Sequence, residues 1–135
     1  MSGVNIVRKL LSEHAPLLAL VPAASIKAGA LPQAQKLPAV SVSRISGYQF
    51  RTVANRSRSK QIRERVQVTV LAGSYEAAER MLKAAHLGRG MHTGQVFDYY
   101  VNSIVLEGIG PYLPSGDDKI HEQSLDFMVT FTEAN

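Results

Sequence analysis

The tightest constraint in this sequence is a period of two near its end. Between Ile120 and Thr132, Leu125, Phe127, Val129 and Phe131 alternate with Ser124, Asp126, Thr130 and Thr132. A β-strand sends successive side chains to opposite faces, so this run buries one face and wets the other. The stretch Ile62–Leu71 repeats the pattern, with Val66, Val68 and Val70 opposing Arg65, Gln67 and Thr69. Strands of this kind belong to mainly antiparallel sheets with one covered face. Ala39–Phe50 opens the same way at Val40 and Val42 and loses phase near Ile45. It is expected to pair with Ile62–Leu71 as an antiparallel hairpin, joined by a long polar connection at about 51–61 that projects as an arm. Val96–Glu107 and Ile120–Thr132 are expected to form a second strand pair around the loop Gly108–Lys119, and Ser25–Ala28 reads as a short strand.

Two segments have helical spacing instead. Val7, Leu10, Leu11, Leu17, Leu18 and Val21 recur at that spacing with Arg8, Lys9 and Glu13 between them. Pro16 interrupts this pattern, because proline suits a first helical turn and not an interior. The reading is a helix to about Glu13 and a short second turn over Ala15–Leu20, stopped by Pro22. The second helix spans Tyr75–Leu87, with Ser74 as N-cap, Glu76 in the first turn, Gly88 at its end, and Tyr75, Ala78, Met81, Leu82 and Ala85 on one face.

At 135 residues one core is expected, hence one domain over 1–135. The fold class is α+β: a mainly antiparallel four- to five-stranded sheet with two helices packed on one face. Val66, Val68, Val70, Leu125, Phe127 and Val129 should form its core with Leu10, Leu11, Met81 and Leu82.

Chemistry is excluded more readily than assigned. With no cysteine, disulfide scaffolds, thiol catalysis, iron–sulfur clusters and cysteine-bearing zinc sites are ruled out. His14, His86, His92 and His121 lack the spacing of a metal site. Leu87-Gly88-Arg89-Gly90 leaves a helix and enters a strand, the reverse polarity of a phosphate-binding loop, and a C-cap followed by a turn explains it. Asp117 and Asp118 adjoin Gly116 in a loop, where turn formation is the simpler role. No catalytic residue and no cofactor is expected. Met1–Val21 carries Arg8, Lys9, Glu13 and His14 among its apolar residues, so no membrane-spanning or signal-type core is expected there.

One segment departs from the background. Arg51, Arg56, Arg58, Lys60, Arg63 and Arg65 face a single acid, Glu64, giving Arg51–Arg65 a charge of +5 in a chain whose total is +4. Two uses fit: a docking arm that meets an acidic protein partner or another copy of the chain, or phosphate binding by a small nucleic-acid-binding module. No aromatic residue lies between Arg51 and Arg65, which disfavours base stacking there.

Several strings, in this order, resemble the tail-completion or tail-terminator proteins of long-tailed bacteriophages. They are Leu17-Leu18-Ala19-Leu20-Val21 closing the first helical region, Ala30-Leu31-Pro32-Gln33 leading to Leu37-Pro38-Ala39-Val40, and Glu64-Arg65-Val66-Gln67-Val68-Thr69-Val70 running through Ala72-Gly73-Ser74-Tyr75-Glu76-Ala77-Ala78 into the second helix. The resemblance implies a non-enzymatic structural protein that caps the tail tube as a ring, usually a homohexamer, stops tube growth and presents the head-joining surface. Its implied partners are other copies of itself, the major tail tube protein and a head-completion or connector protein. Weak, nonspecific contact with passing DNA is compatible with that role, and no membrane is involved. The implied location is the head-proximal end of the tail in the virion, and the host cytoplasm during assembly. The arginine-rich hairpin loop is this chain's departure from the family pattern.

Overall fold

The computed structural model describes residues 2–29, 36–49, 59–86, 94–115 and 119–134. Helix α1 (Ser2–Ser12) is followed by the single turn α2 (Ala15–Leu18), a 3-10 turn (Ala23–Ser25) and strand β1 (Ile26–Ala28). Then come β2 (Ala39–Gln49), β3 (Ser59–Ala72), helix α3 (Tyr75–Ala84), β4 (Gly94–Val96), β5 (Tyr99–Ile109), β6 (Leu113–Ser115) and β7 (Ile120–Ala134). The strands form one sheet in the order β1-β2-β3-β7-β5-β4, and β6 pairs with β7 beyond the end of β5.

The strand periodicity explains why this sheet has a covered and an open face. β3 and β7 pair without a register shift from Ser59↔Ala134 to Ala72↔His121. In that register Val66 lies opposite Phe127 and Val68 opposite Leu125, all buried, while Arg65 lies opposite Met128 and Gln67 opposite Asp126 on the other face. Both α1 and α3 pack on the apolar face. From α1, Val4, Val7 and Leu11 sit three and four residues apart and are buried, as is Ile6, while Asn5 and Arg8 point outward. From α3, Ala78, Met81 and Leu82 are buried against the same cluster. All ten expected core residues belong here, with Leu10 half-buried at the margin.

Local chemistry sets the element ends. Ser74 takes an extended backbone and its Oγ accepts from Ala77 N–H at 3.2 Å, supplying the N-cap of α3. Pro16 occupies the first turn of α2, where its missing N–H costs nothing. The loss of phase at Ile45 is a β-bulge: Arg44 pairs with Val66 and Ser46 with Arg65, leaving Ile45 unmatched and half exposed. β5 carries two further bulges, at Asn102 and Glu107, and these keep Val101, Ile104, Leu106 and Ile109 on the helix side.

The sheet has seven strands where four or five were expected. Val96–Glu107 is two strands, because a turn at Phe97–Asp98 folds β4 onto β5 with Val96 opposite Tyr99. The expected loop Gly108–Lys119 contains β6. Gly110 N–H donates to Ser124 O at 2.9 Å, an approach so close that a Cβ on Gly110 would collide with Ser124 Oγ. β1 pairs with β2 in parallel, the one parallel pair among those described. α3 ends at Ala84, three residues before Leu87, and β3 begins at Ser59, inside the expected 51–61 connection. Pairing with β7 outweighs the polar character of Ser59-Lys60-Gln61, since each added residue completes backbone hydrogen bonds.

Candidate functional site

Three surfaces are candidates for function. The first is the open sheet face, where polar side chains form a ladder across four strands. Arg65 Nε and Nη2 both donate to Asp126 Oδ2, at 3.1 and 2.8 Å, and Gln67 Nε2 donates to Oδ1 at 3.3 Å. One strand position further, Arg63 Nε donates to Thr130 Oγ1 at 3.4 Å and Nη1 to the Tyr48 hydroxyl at 3.3 Å. Thr132 Oγ1 donates to Asn102 Oδ1 at 3.0 Å, extending the ladder to β5. Between these polar rungs lie exposed Tyr48, Tyr100 and Val105, and half-buried Met128. Arginine, tyrosine and methionine are the residues enriched at protein interfaces.

Of the six basic residues singled out from the sequence, the side chains of two, Arg63 and Arg65, lie among the described residues. Arg63 and Arg65 are β3 residues engaged in this ladder. The Lys60 backbone pairs opposite Glu133, while its side chain, together with Arg51, Arg56 and Arg58, lies outside the described residues. Asp117 and Asp118 lie outside them as well.

A second surface lies where β6 meets the start of α3. The Tyr112 ring stacks on His121 with centroids 5.7 Å apart, its hydroxyl hydrogen-bonds His121 Nδ1, and Tyr75 meets it edge-on at 5.1 Å. Tyr75, Tyr112 and Leu113 are exposed. The helical spacing puts Tyr75 on one face with Ala78, Met81, Leu82 and Ala85, yet it is exposed, its ring edge-on to that of Tyr112.

The third group comprises open grooves. One, of about 490 Å³, separates the Asn5-Arg8-Lys9-Ser12 stripe of α1 from Phe97, Asp98 and Tyr99. The other two flank α3. One, of about 210 Å³, is lined by Leu20, Leu37, Pro38, Ala72, Gly73, Ala77, Arg80 and Met81. The other, of about 360 Å³, is lined by Glu79, Leu82, Lys83, His86, Leu106, Ile109, Gln123 and Leu125.

The covered face also holds a carboxylate, noted in the sequence only as the single acid of the basic segment. Glu64, only 6% exposed, accepts from Gly3 N–H at 3.1 Å and thereby caps α1 from β3. Gly3 and Gly47 make room for it: a Cβ would stand 2.5 Å from Glu64 Oε2 at Gly3, and 2.8 Å from Glu64 Cγ at Gly47. Among the described residues, no three His, Asp or Glu side chains converge as a metal site would require, and no helix is long and apolar enough to cross a membrane.

No protein-family model matches this chain, and no match is found among curated proteins. Among solved structures, a chain of the virion of a native gene transfer agent particle shares its fold. The two superpose with a TM-score of 0.64 at 14% identity, covering 94% of this chain and 92% of the other. The correspondence spans both chains almost end to end, so the α+β fold is shared over nearly the whole of each.

Proposed function

We propose that this chain is a structural protein of a phage-like virion, and within it the tail-completion subunit: a ring, most simply a homohexamer, that caps the tail tube and offers the head-joining surface. The observation that carries the reading is the near full-length fold correspondence with a chain of a gene transfer agent virion. The ordered strings from Leu17 to Ala78, similar to those of tail-terminator proteins, narrow it to the tail-completion role. In this reading the chain performs no catalytic step and needs no cofactor. Its partners are its own copies, the major tail tube protein and a head-completion or connector protein, and Arg51–Arg65 is the docking segment, with Arg51, Arg56, Arg58, Lys60, Arg63 and Arg65 supplying its charge.

The test is deletion of the gene from a particle-producing strain, followed by electron microscopy of the particles and localisation of tagged protein. The expected result is tails of unregulated length that fail to join heads, with the tagged protein at one tail end. Normal particles after deletion would overturn the reading. The concentration of charge in Arg51–Arg65 favours one rival, phosphate binding. If that were the main work, affinity for duplex DNA would fall steeply with salt, at roughly −0.9 in log–log slope per neutralised phosphate.

A further inference from the structure

The β4–β5 turn holds an aromatic residue where the backbone favours glycine. Phe97 has φ of +52°, a left-handed conformation rarely adopted by bulky side chains and commonly stored at functional positions. Phe97 is 57% exposed, whereas Phe127 and Phe131 are fully buried. It is also held in place: Lys9 Nζ lies 5.4 Å from the ring centroid, and Gln95 Nε2 donates to Phe97 O at 3.1 Å. A strained, exposed and pre-oriented aromatic ring followed by a carboxylate, Asp98, has the form of an interface anchor.

The two grooves beside α3 differ in what they could receive. The larger is of mixed charge, lined by Glu79 as well as Lys83 and His86. The smaller, about 210 Å³ and apolar at Leu20, Leu37, Ala77 and Met81, has Arg80 as its one charged lining residue among those described. Its volume suits a single phenyl ring, and its charge is opposite to that of Asp98.

We propose that the Phe97–Asp98 turn of one copy of this chain seats in the Leu20–Met81 groove of a second copy, with the ring in the groove and the carboxylate on Arg80. Repeated head-to-tail from copy to copy, this knob-and-groove contact closes a ring when the rotation per subunit divides a full turn. The proposal rests on the ring reading above and names the surfaces that would make it.

The test compares variants in the particle-producing strain, reading the fraction of tail ends occupied by the protein, with unfolding midpoints measured on purified chains. Phe97→Gly should keep or raise the midpoint, since glycine adopts this φ without strain, while occupancy falls by about tenfold or more. Asp98→Arg and Arg80→Glu should each lower occupancy about as much, and together restore it, because the double variant re-forms the pair with its charges exchanged. Normal occupancy with any single variant overturns the contact, as does a folded double variant that stays defective. If parent protein is absent from tail ends, the ring reading fails and this contact with it; if parent protein is present and the exchange does not rescue, the contact alone fails.

Discussion

On the covered face of the β3–β7 pair, Val66, Val68, Phe127 and Val129 lie beneath α1 and α3 with no exposure, whereas on the other face of the same strands Arg63, Arg65, Gln67 and Asp126 are partly exposed to water. The covered face is stabilised by removal of apolar area from water, which is large and has no preferred direction. The open face is organised by directional contacts between partly solvated groups, each of which contributes little to stability. A single strand pair can thus anchor the core and keep a rigid surface available for recognition. Substitutions on one face should therefore read out mainly in stability, and on the other mainly in assembly.

The contrast should break most visibly at Phe127. Phe127→Ala leaves a cavity under α3 beside His86, whose ring centroid is 6.3 Å away, and should cost about 3–5 kcal/mol in denaturant unfolding. An unchanged midpoint would mean that the faces are misassigned.

Glu64 is a buried carboxylate on the apolar side. Glu64→Ala withdraws the buried acceptor of Gly3 N–H and should cost about 1–3 kcal/mol. Adding Gly3→Ala to it should recover about 0.5–1 kcal/mol, because the new Cβ then occupies vacated space and alanine favours the helix. In the parent background Gly3→Ala should destabilise instead. A double variant less stable than Glu64→Ala alone would refute the tertiary cap.

Ser74→Ala removes the N-cap of α3 and should cost about 1 kcal/mol, with hydrogen exchange rising first in the Tyr75–Ala78 turn. Uniform exchange change across α3 would contradict a local cap.

The open face should respond least. In Asp126→Asn the bridge to Arg65 loses its charge; Asp126 is 14% and Arg65 37% exposed, so solvent screens much of the gain and the loss should stay within about 1 kcal/mol, diminishing as salt is raised. A loss comparable to that of Phe127→Ala would show that the ladder, and not the apolar face, holds β3 to β7.

Where side-chain period and caps carry the signal, the elements were legible in advance. The alternation in Ile62–Leu71 and Ile120–Thr132 fixes which residues turn inward, since a one-residue slip would expose all of them. Pro16 and Ser74 mark helix starts, and the lost phase at Ile45 marks a bulge, each through backbone restriction or local hydrogen bonding that acts over a few residues. Phe97–Asp98 was not legible as a turn: it has neither the glycine nor the asparagine that favours left-handed backbone, and only the pairing of Val96 with Tyr99 folds it. β6 was hidden because three residues hold no period, and β7 alone provides its partners. The Glu64 cap, the Tyr75–Tyr112 contact and the groove against Arg80 join residues remote in the chain. Periodicity records which side of an element meets water, because burial acts on each residue separately. Which remote side chains meet depends on register, bulges and helix placement acting together, and that was decided only in the tertiary structure.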